Sequence, residues 1–237
     1  APVADRVRTS DPHSVRVLAD NKKLNETIKT RRRPQAEFLR VDLGEGVELD
    51  GWCIKPPKVN KKKKYPLLVY VYGEPAGQTV LDRWGGSRYL WHLMLAQQGY
   101  VVMSFDNRGQ PAPRGRKWRK SVYRKVGIMA PKDQAAAVRK VLSERSYLDP
   151  DRVGVWGWSG GGSMTLNAMF KFPELYKTGI SVAPVPNMRY YDTIYQERYM
   201  GLPSDNVDGY VEGSPINFAH RSEEHTSELQ SRRNLVC

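Results

Sequence analysis

Residues 153–166 read Val-Gly-Val-Trp-Gly-Trp-Ser-Gly-Gly-Gly-Ser-Met-Thr-Leu. An apolar run ends in Gly157-Trp158-Ser159-Gly160-Gly161, and apolar residues at helical spacing follow from Met164 onward. A G-x-S-x-G motif between a strand and a helix is typical of a nucleophile on a strained turn, whose close-packed neighbours must be glycine. A phosphate-binding turn is the alternative, but no Gly-Lys-Ser or Gly-Lys-Thr follows the glycines. The stretch predicts Ser159 as a catalytic nucleophile.

Strand and helix patterns alternate outward from this motif. They predict a hairpin over 36–55, strands over 66–72, 100–105, 153–158 and 178–183, and helices over 86–98 and 132–145. Such alternation indicates an α/β fold with a mostly parallel sheet and helices on both faces. Sites in these sheets lie at the carboxyl ends of the strands. We therefore expect Tyr72, Asn107, Ser159 and Ala183 to lie close together.

The composition restricts the class of protein. The chain has 237 residues and a net charge of +13, which is compatible with a polyanionic partner. However, its basic residues are spread over separate short runs without a nucleic-acid-binding motif, so no nucleic-acid partner is expected. No apolar run approaches the roughly 20 residues that span a bilayer. The two cysteines, Cys53 and Cys237, form neither a disulfide framework nor a metal cluster, and we expect no metal and no cofactor.

Four segments resemble the prolyl oligopeptidase family of serine peptidases, in particular its dipeptidyl-peptidase IV branch. They are Val71-Tyr72-Gly73-Glu74-Pro75, Ser104-Phe105-Asp106-Asn107-Arg108-Gly109, Gly157-Trp158-Ser159-Gly160-Gly161, and the long run from Val182 to Pro203. The resemblance implies an α/β-hydrolase that cleaves peptides after proline or another small residue through an acyl-enzyme on Ser159. It also implies a peptide as partner, a homodimer of the full-length parent, and a parent that is exported; the compartment itself stays open.

The resemblance assigns further site residues. The backbone N–H of Gly160, directly after the nucleophile, and the phenol of Tyr72 are the expected oxyanion donors. Val185, Tyr191 and Tyr195 are expected around the proline ring. A buried core position is the alternative for Tyr72 and for the two pocket tyrosines, which are four residues apart and would share one face of a helix.

Two positions depart from the dipeptidyl-peptidase pattern. Gly160 stands where that branch has a tyrosine, and Met188 stands where it has a tryptophan. Both changes remove aromatic wall from the pocket, so strict specificity for proline is not expected.

The family-like sequence covers residues 36–220, which we predict to be an incomplete hydrolase domain. Residues 1–35 are predicted to be the end of an upstream β-propeller-like module and a linker, with a strand near Val17 and a helix over 22–30. Residues 221–237 resemble a translated sequencing adapter, and we predict a non-native tail.

The hydrolase order is serine, acid, histidine, but only His220 and His225 follow Ser159, and the family-like sequence ends before the catalytic pair. We therefore expect the chain as given to be inactive and its parent to be a peptidase. An esterase on the same fold and a catalytically dead peptide-binding fragment stay open as alternatives.

Overall fold

The computed structural model describes residues 4–8, 11–30, 36–60 and 62–221. Strands β1 (Ala4–Arg8) and β2 (Asp11–Ala19) pair antiparallel in a sheet of their own, and helix α1 (Lys22–Thr30) follows. The strand near Val17 and the helix over 22–30 are thus confirmed. The predicted non-native tail lies, except for Arg221, outside the described residues.

A six-stranded sheet forms the centre of the hydrolase region, in the order β3-β4-β6-β5-β7-β8. Its strands are β3 (Ala36–Asp42), β4 (Glu48–Ile54), β5 (Tyr65–Tyr70), β6 (Val101–Asp106), β7 (Leu148–Trp158) and β8 (Thr178–Val182). The pairs β3–β4 and β4–β6 are antiparallel, whereas β6–β5, β5–β7 and β7–β8 are parallel. The predicted hairpin and the mostly parallel sheet are therefore confirmed.

Helices cover both faces of this sheet. Along β5, Leu67 and Val69 belong to one buried cluster while Leu68 and Tyr70 belong to another, because successive side chains of a strand point to opposite faces. Helices α4 and α5 pack into the first cluster and α2 into the second. The helices are α2 (Gly86–Gln97), α3 (Gly115–Lys120), α4 (Met129–Glu144), α5 (Gly160–Lys171), α6 (Thr193–Met200) and α7 (Val207–Gly213), with 3₁₀ helices at Met188–Tyr190 and Pro215–Arg221.

The basic run 114–120 forms the short helix α3 from Gly115 onward, and its first residue contacts strand β4. Arg114, just before this helix, makes a 2.7 Å ion pair with Asp50, and its guanidinium lies 4.6 Å from the centre of the Trp118 ring. Part of this positive charge is thus neutralised within the fold.

Within the part of the chain that the structure describes, no helix has the length and apolar character needed to cross a membrane.

Candidate active site

Ser159 occupies the sharp turn between β7 and α5. Its backbone has φ 58° and ψ −119°, a conformation that non-glycine residues rarely adopt. A Cβ atom added to Gly157 would lie 2.3 Å from the carbonyl oxygen of Gly161, and one added to Gly161 would lie 2.4 Å from that of Val71. Only glycine fits at these positions. The tight packing holds Ser159 in its strained conformation at the carboxyl end of β7.

Hydrogen bonds hold the loop after β8 against the first turn of α5. The Ser159 N–H donates to the Val182 carbonyl at 2.9 Å. The Ser163 hydroxyl accepts from the Val185 N–H at 2.9 Å and donates to the Val185 carbonyl at 3.0 Å. Ala183, between these anchors, also has a positive φ of 45°. The two hydrogen bonds of Ser163 therefore bring Val185 beside the nucleophile.

Tyr72 lies two residues beyond the end of β5, in a loop that β6 supports. The side-chain amide of Asn107, directly after β6, donates to the Gly73 carbonyl at 3.3 Å. The Tyr72 ring rests on Gly77, where an added Cβ would lie 2.2 Å from the ring. Burial, followed by the nearby Glu74, raises the pKa of the Tyr72 phenol. The phenol therefore keeps its proton at neutral pH and remains a hydrogen-bond donor.

A single pocket of about 50 Å³ contains all six predicted site residues. It is lined by Tyr72, Ser159, Gly160, Val185, Tyr191 and Tyr195, together with Glu74, Ser163, Met188 and Gln196. The structure therefore brings the predicted residues together at the expected edge of the sheet. Met188 was expected there as a departure from the family pattern, whereas Glu74, Ser163 and Gln196 were not predicted, and Glu74 is the only one of them with a carboxyl group.

Tyr191 and Tyr195 do not share one face of a helix, so the condition attached to the core alternative does not hold. Helix α6 begins at Thr193 because the side chain of Asp192 caps it, accepting from the Tyr195 N–H at 2.8 Å. Tyr191 therefore precedes the helix. The two rings still meet edge to face with centres 5.6 Å apart, and Tyr191 is 41% exposed. Tyr191 thus lines an open pocket and is not a core residue.

Glu74 is buried in the wall of the same pocket. The Tyr195 hydroxyl donates to its Oε2 at 3.1 Å. Burial raises the pKa of the Glu74 carboxyl to about 7, against the opposing effect of the Tyr195 hydrogen bond. An acidic residue in a Gly-Glu-Pro turn directly after a buried strand was the available sequence signal, since such turns face the carboxyl edge of the sheet.

Two histidines have described side chains, and neither lines the pocket of Ser159. His92 lies on α2 among four aromatic rings whose centres are 5.3–5.5 Å from its own, and burial lowers its pKa to about 3. His220 lies exposed on the last 3₁₀ helix. Neither of them is placed to act on Ser159.

A strained serine between a parallel strand and a helix, with a protonated tyrosine in the same pocket, defines an α/β-hydrolase of the serine type. The chain belongs to the prolyl oligopeptidase family, whose sequence model matches residues 88–232. This membership confirms the predicted family and identifies the chain as a serine-peptidase-type hydrolase.

The chain is also similar to individual proteins of this family. The chain is 39% identical over 199 residues to prolyl endopeptidase FAP of Mus musculus, covering 83% of this chain and 25% of the relative. It is 35% identical to a probable dipeptidyl peptidase 4 of Arthroderma benhamiae, covering 84% of this chain and 25% of the relative. The crystal structure of Porphyromonas gingivalis dipeptidyl peptidase 4 superposes with a TM-score of 0.87 at 37% identity, covering 93% of this chain and 31% of that chain. The α/β-hydrolase fold is thereby confirmed, and the chain spans about a quarter of the length of these curated relatives.

Proposed function

We propose that Ser159 is the nucleophile of a serine peptidase that cleaves peptides after proline or another small residue. The observation that carries this proposal is the strained Ser159 turn, which shares one pocket with the Tyr72 phenol. The Ser159 hydroxyl would attack the scissile carbonyl and lose its proton to a general base, which would protonate the leaving amine. Water would then hydrolyse the acyl-enzyme and restore the Ser159 hydroxyl.

Two donors are proposed for the oxyanion that forms during this attack. The Gly160 N–H begins helix α5, so it has no partner within the helix and adds the positive end of the helix dipole. The Tyr72 hydroxyl is the second donor, supported by its raised pKa and by its position in the pocket. Loss of one such donor typically lowers the rate by about 10²–10³.

The remaining walls suit a small apolar ring. Val185, Met188, Tyr191 and Tyr195 present aliphatic, thioether and aromatic surfaces. The cavity of about 50 Å³ is several times larger than the roughly 10–15 Å³ that one water needs, which matches a small side chain rather than a long one. A proline ring or a small side chain of a peptide substrate is therefore the proposed occupant.

We also propose that residues 36–220 act as the hydrolase domain and that the 237-residue chain alone does not turn over peptides. Acyl transfer through serine requires an oriented base, usually a histidine. Among the residues whose side chains are described, His92 and His220 lie away from the Ser159 pocket. Turnover by the purified chain, absent in its Ser159→Ala variant, would contradict this second proposal.

The test of the activity uses a dipeptidyl anilide with proline before the scissile bond and a short p-nitrophenyl ester of similar size. Both are offered to the chain and to any longer polypeptide that the source gene encodes, with Ser159→Ala as the control. Release of the anilide by the longer polypeptide supports the peptidase. Cleavage of the ester alone would favour an esterase, and binding without turnover would favour a catalytically dead peptide-binding protein.

A further inference from the structure

Glu74 occupies the space that a side chain at position 160 would need. A Cβ atom added to Gly160 would lie 2.3 Å from Cγ of Glu74 and 3.3 Å from its carboxyl carbon. Gly160 directly follows the nucleophile, so the stem of Glu74 packs against the residue next to Ser159. The absence of a side chain at Gly160 is therefore what admits a carboxyl group into this part of the pocket.

One oxygen of this carboxyl has a protein partner and the other does not. Oε2 accepts the Tyr195 hydroxyl, whereas Oε1 has no hydrogen-bond partner among the described residues. Glu74 is only 5% exposed, but it lines the pocket, and Oε1 is not among the fully enclosed polar atoms that lack a partner. We therefore take Oε1 to be accessible to a ligand in the pocket. A buried acceptor without a partner is unfavourable, and a ligand that donates to it relieves the loss.

Glu74 is also the only carboxyl group that the pocket offers to such a ligand. No other residue that lines the pocket is an aspartate, glutamate, lysine, arginine or histidine, and the neighbouring walls are formed by Val185, Met188 and tyrosine rings. The pocket thus has one strong acceptor in otherwise weakly polar surroundings. This arrangement fixes orientation and selects between ligands of equal size.

We propose that Glu74 is a specificity-determining residue, which makes the pocket prefer a small substrate side chain carrying a hydroxyl donor over an apolar side chain of the same shape. The inference rests on the proposed function, since it takes the pocket beside Ser159 as the substrate pocket. The small cavity excludes long donors such as lysine. Threonine and valine are the matched pair, because they differ mainly in one hydroxyl group.

The test measures dissociation constants by calorimetry for two dipeptide amides, Ala-Thr and Ala-Val. The protein is the full chain carrying Ser159→Ala, so that no turnover interferes. We expect the threonine peptide to bind about tenfold more tightly, the size of one hydrogen bond to a charged acceptor. Adding Glu74→Met should abolish the preference, whereas Glu74→Gln should keep part of it because the amide oxygen still accepts.

A second measurement does not depend on whether the Glu74→Met variant folds. The threonine preference of the Ser159→Ala chain should increase as the pH rises through about 7, where Glu74 loses its proton and becomes a stronger acceptor. The other titratable groups of the pocket are Tyr72, Tyr191 and Tyr195, and burial raises the pKa of Tyr72 and Tyr195. Glu74→Gln should remove this pH dependence.

Two outcomes would overturn the inference, and they differ in their consequences. Equal binding of the two peptides, unchanged by Glu74→Gln, would refute the role of Glu74 and leave the peptidase proposal intact. If neither peptide binds at any concentration, the pocket is not a substrate pocket, and both proposals fail together.

Discussion

Replacing Gly157 by alanine tests whether the Ser159 turn depends on close backbone packing. The new methyl group would lie 2.3 Å from the Gly161 carbonyl oxygen and 2.5 Å from the Val71 carbonyl oxygen. Both contacts are with backbone, one in the first turn of α5 and one in the loop after β5. Neither oxygen can retreat unless the Ser159 turn moves away from the sheet.

The size of the effect follows from this geometry. Overpacking a rigid site costs about 1–3 kcal/mol, and two backbone clashes place Gly157→Ala near the upper end, at about 3 kcal/mol. For a protein of this size about 1 kcal/mol corresponds to roughly 2–4 °C, so the melting temperature should fall by about 6–12 °C.

Gly154 on the same strand offers a matched control. A Cβ atom there would meet Thr178 Cγ2 at 2.9 Å and Leu68 Cδ1 at 3.2 Å, which are side-chain atoms that can shift. Gly154→Ala should therefore cost about 1 kcal/mol or less. Urea and thermal unfolding of both variants, followed by tryptophan fluorescence, measure the difference. Equal losses for the two variants would refute the role assigned to backbone packing at the Ser159 turn.

Three further predictions concern buried titratable groups and the oxyanion donor. Burial raises the pKa of Glu74 to about 7 from 4.5, so the free energy of unfolding should fall by about 1.4 kcal/mol for each unit by which the pH rises between these values. Glu74→Gln should flatten the profile of unfolding free energy against pH in this range. Because burial lowers the pKa of His92 to about 3 from 6.5, stability should fall as the pH drops through that window, and His92→Phe should reduce the slope in urea unfolding. Tyr72→Phe should lower anilide turnover by any active longer polypeptide about 10²–10³-fold, whereas Tyr123→Phe, on an exposed tyrosine, should not.

The main elements of the fold were predictable because the parallel strands are buried on both faces and therefore appear as continuous apolar runs. Strand β7 shows where this signal fails. It was predicted from Val153, but it begins at Leu148, where Tyr65 pairs with it. The intervening residues 149–152, Asp-Pro-Asp-Arg, are largely exposed and lie at a register irregularity of the β5–β7 pair, so no continuous apolar run reports the first part of the strand.

The site was predictable to the extent that it depends on strand ends. Tyr72, Ser159 and Val185 follow three neighbouring parallel strands, and the topology brings such residues together. The turn after β5 placed Glu74 at this edge, but its burial was not predictable, because its side chain packs against Gly160 of a distant segment. The position of Tyr191 before the helix could have been predicted, since Asp192 before Thr193 is a helix-capping signal.

The central claim, that Ser159 is the nucleophile, is tested most directly with a dipeptidyl boronate, in which boron replaces the scissile carbonyl carbon. The measurement is the ¹¹B NMR spectrum of this compound in complex with the 237-residue chain. The Ser159 oxygen would bond to boron, its proton would pass to solvent, and the tetrahedral adduct would mimic the transition state. This equilibrium requires the nucleophile and the oxyanion donors but no turnover. We predict a tetrahedral boron signal for the wild-type chain and a trigonal one for Ser159→Ala. A trigonal signal in both, or the same tetrahedral signal in both, would contradict the assignment of Ser159 as the nucleophile.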